Sequence, residues 1–421
     1  MIVFVINKNG EALMPCKPRK ARILLKQKKA RIINREPFTI QLLYGSRGYK
    51  QKLDVGIDTG AKHVGVGITS EDKVLAKGDI EFRSDVSRLL ETRRVYRRSR
   101  RNRKFRYREP RFDNRKREKG WLPPSIESRV ENTFHWIDKI CSLLPRPNLH
   151  IEVGKFDVQK MIDPTIGGVD YQRGQTYSYH DVRYFVFARD RYTCQVCKKK
   201  NKILNTHHII YTSQGGSDRA DNLITVCTDC HTHKNHKPGE ILHDWMIHNK
   251  KTKSYKETTF MNTLRRRIFE RYPDARITYG SETTPHRKEL GLEKTHANDA
   301  IAITEIHEIN SIPLTAFKIK QFRKKKRSLH EATARKRKSK NTLSERNSKN
   351  TKEMKGFHLN DLVVTLTGEK GYITGFSGTS NCYLKSISGD YIVQPGKSYK
   401  QQPLSKLKRV SHNNNWQYQI I

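Results

Sequence analysis

The chain has 421 residues, enough for two or three domains with real cores. Its 84 Lys and Arg against 42 Asp and Glu give a formal net charge of +42. Charge of that size repels itself unless an anion neutralises it, and here it is clustered, so nucleic acid is the expected partner. A membrane surface is not expected, since no amphipathic or lipidation signal accompanies the charge and no stretch approaches the roughly 18 apolar residues of a span. The opening MIVFVINKNGEA is too short an apolar run for a signal peptide. Of seven cysteines, four form two CxxC pairs and three (Cys16, Cys141, Cys382) are isolated, which points to a reducing compartment and thiolates on metal.

Residues 1 to about 50 read as a small module: the strand IVFVI, a turn over Asn7 to Gly10, a basic helix within PCKPRKARILLKQKKARI, and the strand FTIQLLY. From 53 to 83, LDVGID, HVGVGIT and VLAKGDIEF predict a meander of three strands, with Asp58 at the end of the first. Gly56 and Gly60 beside Asp58 are expected to leave backbone room for a metal and a phosphate. The run from 93 to 119, RRVYRRSRRNRKFRYREPRFDNRKREK, puts Arg on every face of a helix, with Tyr96, Phe105 and Tyr107 interleaved. No packed core tolerates that. Arg93, Arg94, Arg97, Arg98, Arg100, Arg101, Arg103, Arg106 and Arg108 are therefore expected to lie against polyphosphate.

WLPPS next opens a helix with Ser125 as its expected N-cap, and Val130, Phe134, Ile137, Cys141 and Leu144 mark its buried face. NLHIEVG follows as a core strand carrying Glu152. Residues 158 to 180 read as a linker, TTFMNTLRRRIFER as a basic amphipathic helix, and ARITYGSETTPHRKELGL as a strand and loop. HANDAIAI places Asp299 in the first turn of a helix, with His296 one turn before it. A second basic tract spans 321 to 341. Residues 356 to 421 predict short strands broken by Gly and Asp turns, a small separate barrel.

Cys194, Cys197, Cys227 and Cys230 can supply four thiolates to one structural Zn2+. The gap between the two pairs, residues 198 to 226, exceeds the usual zinc-ribbon spacing of about 15 to 20 and holds ILNTHHII and GGSDRADNL. His207 and His208 are adjacent on a predicted strand, so their side chains point to opposite sides. Asn222 precedes the second pair, and His231 follows it at the start of an expected helix. This strand-loop-strand-helix order resembles the HNH, or ββα-metal, nucleases. The resemblance implies His208 as general base, His207 and His231 as ligands of one Mg2+, and Asn222 as the residue orienting loop and base. His233 and His236 read as surface or phosphate-facing. His207 stands where some members have Asp, which leaves the metal preference open.

Asp58, Glu152 and Asp299 come from distant segments, and their contexts resemble the RuvC version of the RNase H fold. That resemblance implies that the three acids hold two Mg2+, with His296 as a proton-transfer or metal-side residue. A RuvC domain split by an arginine-rich helix and an HNH insertion is similar to the transposon-encoded IscB nucleases, relatives of the large CRISPR effector nucleases. MPCKPRKAR, RKFRYREPRFDNR, WLPPS and KTHANDAI carry the likeness along nearly the whole chain.

The fold class so implied is α/β multidomain: an RNase H-like (RuvC) core split by an arginine-rich bridge helix and an inserted ββα-metal (HNH) zinc-knuckle domain, with a small β-barrel-like C-terminal domain. The implied division is 1–50 N-terminal module, 51–85, 121–157 and 246–320 RuvC parts, 86–120 bridge helix, 158–180 linker, 181–245 HNH domain, 321–355 basic linker, and 356–421 the domain facing a target-adjacent motif. The implied partners are a guide noncoding RNA (omega RNA) and double-stranded target DNA, around a monomeric protein in a cytoplasmic, nucleoid-associated prokaryotic ribonucleoprotein. Two alternatives stay open from the residues alone, an unguided HNH endonuclease of homing or restriction type and a non-catalytic RNA-binding protein.

Overall fold

The computed structural model describes residues 2–45, 48–101, 117–118, 120–212, 216–249, 255–322, 353–394, 396–412 and 415–421. They form two compact units, Met1–Lys155 with Phe260–Ile421, and Phe156–Thr259. No helix among the described residues is long and apolar enough to cross a membrane.

The first unit is built on a seven-stranded sheet in the order Arg276–Thr278, Asn148–Glu152, Asp54–Thr59, His63–Ser70, Lys73–Glu81, Phe317–Gln321, Trp416–Ile420. The three strands of the meander pair antiparallel, and Asn148–Glu152 runs parallel to Asp54–Thr59. Strand alternation sorts the side chains by face. Val55, Ile57, Val64, Val66 and Ile68 join the main core with Val130, Phe134 and Ile137 of the helix Pro124–Ser142 and Leu264 and Ile268 of the helix Lys256–Arg271. The intervening residues Gly56, Asp58, Gly65 and Gly67 turn to the opposite face.

That opposite face seats the helix His296–Ile303. A Cβ on Gly65 would stand 1.9 Å from the His296 carbonyl oxygen, and one on Gly56 1.9 Å from the Ala300 carbonyl oxygen. The room at Gly56 thus belongs to a helix backbone, not to a metal and phosphate as expected, and Gly60 is crowded by the His63 carbonyl. Glycine at these positions lets the Asp299 helix rest directly on the Asp58 strand. We predict that Gly65→Ala lowers stability by about 1–3 kcal/mol, an overpacking cost, read as a lower denaturant midpoint. An unchanged midpoint would contradict the seat.

Several elements depart from the sequence expectations. The N-terminal module is a four-stranded sheet ordered Ala12–Cys16, Val3–Ile6, Phe38–Leu42, Ala30–Arg35, with the helix Pro18–Lys26. Neither outer strand was expected: Ala30–Arg35 overlaps the segment whose Lys and Arg content reads as basic helix, and Ala12–Cys16 falls between the expected turn and that helix. The helix Pro124–Ser142 is capped by Pro123 with Pro124 at its start, not by Ser125, because a fixed φ suits the first turn and needs no N–H there. Residues Gly280–Glu289, expected as loop, form a helix despite Pro285; burial of Thr283 and Arg287 outweighs the lost backbone bond. The segment expected as linker holds the short helices Val158–Ile162 and Asp170–Arg173.

In the C-terminal part a five-stranded antiparallel sheet runs in the order Gln401–Pro403, Asn381–Lys385, Lys370–Ser377, Leu362–Val364, Lys408–Ser411. The last strand leaves it. Trp416–Ile420 pairs with Phe317–Gln321 and closes one edge of the seven-stranded sheet, so 356–421 is not a wholly separate module.

The helix Val86–Arg101 carries the exposed Arg93, Arg94 and Arg97. Arg98, Arg100 and Arg101 lie on the same helix, while Arg103, Arg106 and Arg108, and most of the tract from 321 to 341, lie outside the described residues.

Candidate active sites

In the first unit Asp58 and Glu152 are register partners on adjacent parallel strands, so their side chains emerge on one face. The helix His296–Ile303, capped by the Thr295 side chain, brings Asp299 and His296 over that face. The His296 Nδ1 lies 2.6 Å from Asp58 Oδ2, and the Arg287 guanidinium Nε lies 2.6 Å from Asp299 Oδ1 as an ion pair without hydrogen-bond alignment.

The acids feel one another. Burial pushes the Glu152 carboxyl up to about 7, and the charges of Asp58 and Asp299 add to the rise beyond what the Thr283 hydroxyl offsets. Burial and Asp58 likewise raise Asp299 against the pull of Arg287. The hydrogen bond to Asp58 raises the His296 imidazole above its ordinary value despite its burial. Buried oxygen donors in mutual repulsion, with a carboxyl driven towards its neutral form, are a donor set that fits hard divalent cations such as Mg2+. Two neighbours were missed in the sequence: Arg287, in the misread helix, and Asp79, raised by burial and lying one strand beyond Gly65, the register partner of Asp58. Neither sits in a recognisable local pattern.

An acid raised from 4.5 to about 7 ionises first in the unfolded chain, so its contribution weakens the fold as pH climbs through that window. A divalent cation binds the ionised form and should restore stability most above it. The Mg2+-induced rise in melting temperature should therefore be larger at about pH 8 than at about pH 5.5. Equal rises would rule this out.

In the second unit the strands Leu204–His208 and Leu223–Cys227 pair antiparallel, setting His208 opposite Leu223 and His207 opposite Ile224. The two histidines diverge as alternation requires. His207 is buried, with Nε2 3.1 Å from Met246 Sδ, and its ring lies 4.9 Å from that of His231 and 5.0 Å from that of His236. The nitrogens of these three could hold one ion. His236 is thus not merely surface or phosphate-facing. It sits in a 3-10 turn, Lys234–His236, where a helix starting at His231 was expected; the helix of this unit comes later, at Ile241–His248. Burial, then the neighbouring imidazoles, hold His207 down at about 4, so at neutral pH it is in the metal-binding form.

His208 is half-exposed and its Nε2 lies 2.8 Å from Asp218 Oδ1, a partner the sequence reading overlooked in GGSD. Asn222 is buried. Its Oδ1 accepts from the Ile210 N–H at 2.9 Å, and its Nδ2 donates to the carbonyls of Ile210 and Ser217, which pins both ends of the loop after His208. Cys194, Cys197, Cys227 and Cys230 converge as a four-thiol cluster that could hold one ion, with Cys197 and Cys227 sulfurs 3.7 Å apart. Burial opposes ionisation of Cys194, but the backbone N–H groups of Cys197, Cys227 and Val196 outweigh it and bring the thiol down to about 7. Such a set fits zinc.

Comparison with known proteins agrees with this geometry. The HNH endonuclease family matches residues 194–237, so the second unit carries an HNH endonuclease domain. The RRXRR protein family matches residues 3–174, a stretch that contains the arginine-rich helix. These two regions, in this order on one chain, support the resemblance to an IscB-like nuclease. Among curated proteins the chain is similar to anaredoxin of a Nostoc species, 46% identical over 52 residues, which is 12% of this chain and 66% of that protein. Among solved structures it is similar to the Type II-C Cas9 enzyme from Actinomyces naeslundii at 12% identity and a TM-score of 0.23, covering 61% of this chain and 60% of that one.

Proposed function

We propose that this chain is an RNA-guided DNA endonuclease with two metal-dependent sites, the HNH site cutting the guide-paired strand and a RuvC-type site cutting the displaced strand. The observation that carries it is the pairing of two chemically distinct hydrolytic sites, one in each unit: a carboxylate set with His296, and a histidine set with an oriented base. The sheet order supports the RuvC reading, since an antiparallel meander flanked at its first strand by two parallel strands is the RNase H arrangement. Arg93, Arg94 and Arg97, exposed on one helix, supply the charge that a polyphosphate partner needs.

In the HNH site, donation from His208 Nε2–H to Asp218 leaves Nδ1 as the nitrogen that takes a proton from the attacking water. Asn222 holds the loop that carries this pair, and His207, His231 and His236 are placed to bind the cation. In the carboxylate site Asp58, Glu152 and Asp299 would hold Mg2+, while His296, whose protonated form is favoured by its bond to Asp58, can return a proton to the leaving oxygen. Bound metal would stabilise the charge that builds on the phosphate.

The test is whether sequence-specific cutting depends on RNA. Protein purified with its RNA should cut a matched duplex and lose that activity after RNase treatment, with the co-purifying RNA carrying the complement of the cut site. Site-specific cutting that survives RNase would instead favour an unguided homing-type or restriction-type endonuclease.

A further inference from the structure

Outside both nuclease sites, three side chains of the C-terminal sheet converge without any role in the chemistry above. His358 ends the short strand Phe357–His358, Asp361 sits in the turn before Leu362–Val364, and His412 follows Lys408–Ser411. Sheet pairing explains the meeting, because Leu362 is the register partner of Ser411. The ligand atoms of all three lie within 4.8 Å of one another.

Asp361 is wholly buried, with Oδ1 2.9 Å from His412 Nδ1 and Oδ2 4.0 Å from His358 Nδ1. The two imidazoles stand edge to face with ring centres 4.6 Å apart. The Nδ1 of His358 is buried and has no hydrogen-bond partner, although it faces a carboxylate. A buried polar nitrogen left unbonded costs free energy unless something fills the space it faces. On the other side of the same ring, Nε2 lies 3.2 Å from Glu353 Oε2. An imidazole with one nitrogen on a carboxylate and the other turned into a cluster of donors is the arrangement of a metal-bound histidine with its supporting acid.

We propose that His358, Asp361 and His412 form a third metal site, for a borderline divalent ion of the zinc type. Two imidazole nitrogens and one carboxylate oxygen suit that ion better than Mg2+, and three protein ligands leave a fourth position for water. The site joins the Glu353–Met354 and Phe357–His358 hairpin to the five-stranded sheet, against whose core Met354 and Phe357 already pack. Arg409 Nη1, 3.7 Å from Asp361 Oδ2, offsets part of the charge of the buried carboxylate.

The test is the zinc content of the full chain, loaded and then freed of loose metal, in a His231→Ala background that removes the competing imidazole cluster. His412→Ala should lose one equivalent while the four-thiol equivalent stays. An unchanged zinc count in folded His412→Ala protein overturns the proposal. Should that variant fail to fold, Glu353→Gln decides, since Glu353 is exposed and touches only the supporting side. It should weaken zinc binding about tenfold, the usual effect of losing a supporting carboxylate, and unaltered affinity would overturn the site.

Discussion

If the two sites divide an RNA-paired duplex between them as proposed, replacing Asp58 with Ala should leave one nick, in the strand paired with the RNA, and replacing His208 with Ala should leave one nick in the displaced strand. Each substitution removes a group from one unit and leaves the other unit's donors in place. The His208 variant should cut its strand more slowly by on the order of 10²–10⁴, the usual worth of a positioned general base. Asp218→Asn should slow the same cut by less, because it keeps the imidazole's place but weakens the acceptor that fixes its tautomer. Strand-specific end labels on a matched duplex read all three. Loss of both cuts in either Ala variant, with RNA binding retained, would mean that the two sites do not act independently.

How far this was legible in the sequence depends on whether a residue's role is fixed locally. Cys194, Cys197, Cys227 and Cys230 announce themselves because cysteines three positions apart on a tight turn already share a direction, and the histidine pair on a strand must diverge. The carboxylates are different. Nothing local says that Asp58 and Glu152 face each other; a parallel register does, and a slip of one residue would send Glu152 to the other face of the sheet. Arg287 was invisible because Gly280 and Pro285 read as loop, and its burial against Asp299 exists only in the folded chain. His236 lies five residues after His231, an interval that fits no helical face, and only the 3-10 turn brings it back to His207. Gly56 was noticed for a wrong reason: it admits a helix, and the helix carries the acid.

Removing zinc should unfold the second unit and abolish the HNH cut while leaving the seven-stranded unit intact. The core of the second unit is small, and Cys194, Cys227 and Cys230 are part of it, beside Ile209, Ile224, Val226, Leu242 and Met246. With thiols in place of bound thiolates, this core has little else to hold Leu223–Cys227 against the turns at either end. Structural zinc contributes about 10–16 kcal/mol in small zinc-finger peptides, as much as the whole net stability of an ordinary domain. The first unit has a far larger core of its own, running from Phe4 to Ile319. Calorimetry of chelated protein should therefore lose one transition and keep the other, and Cys230→Ser should do the same without chelator. Restoring Mg2+ alone should then return cutting of the displaced strand only, and Mg2+ with Zn2+ should return both. If Mg2+ alone restores both cuts, the cysteine cluster is not what holds His207, His208 and His231 in place.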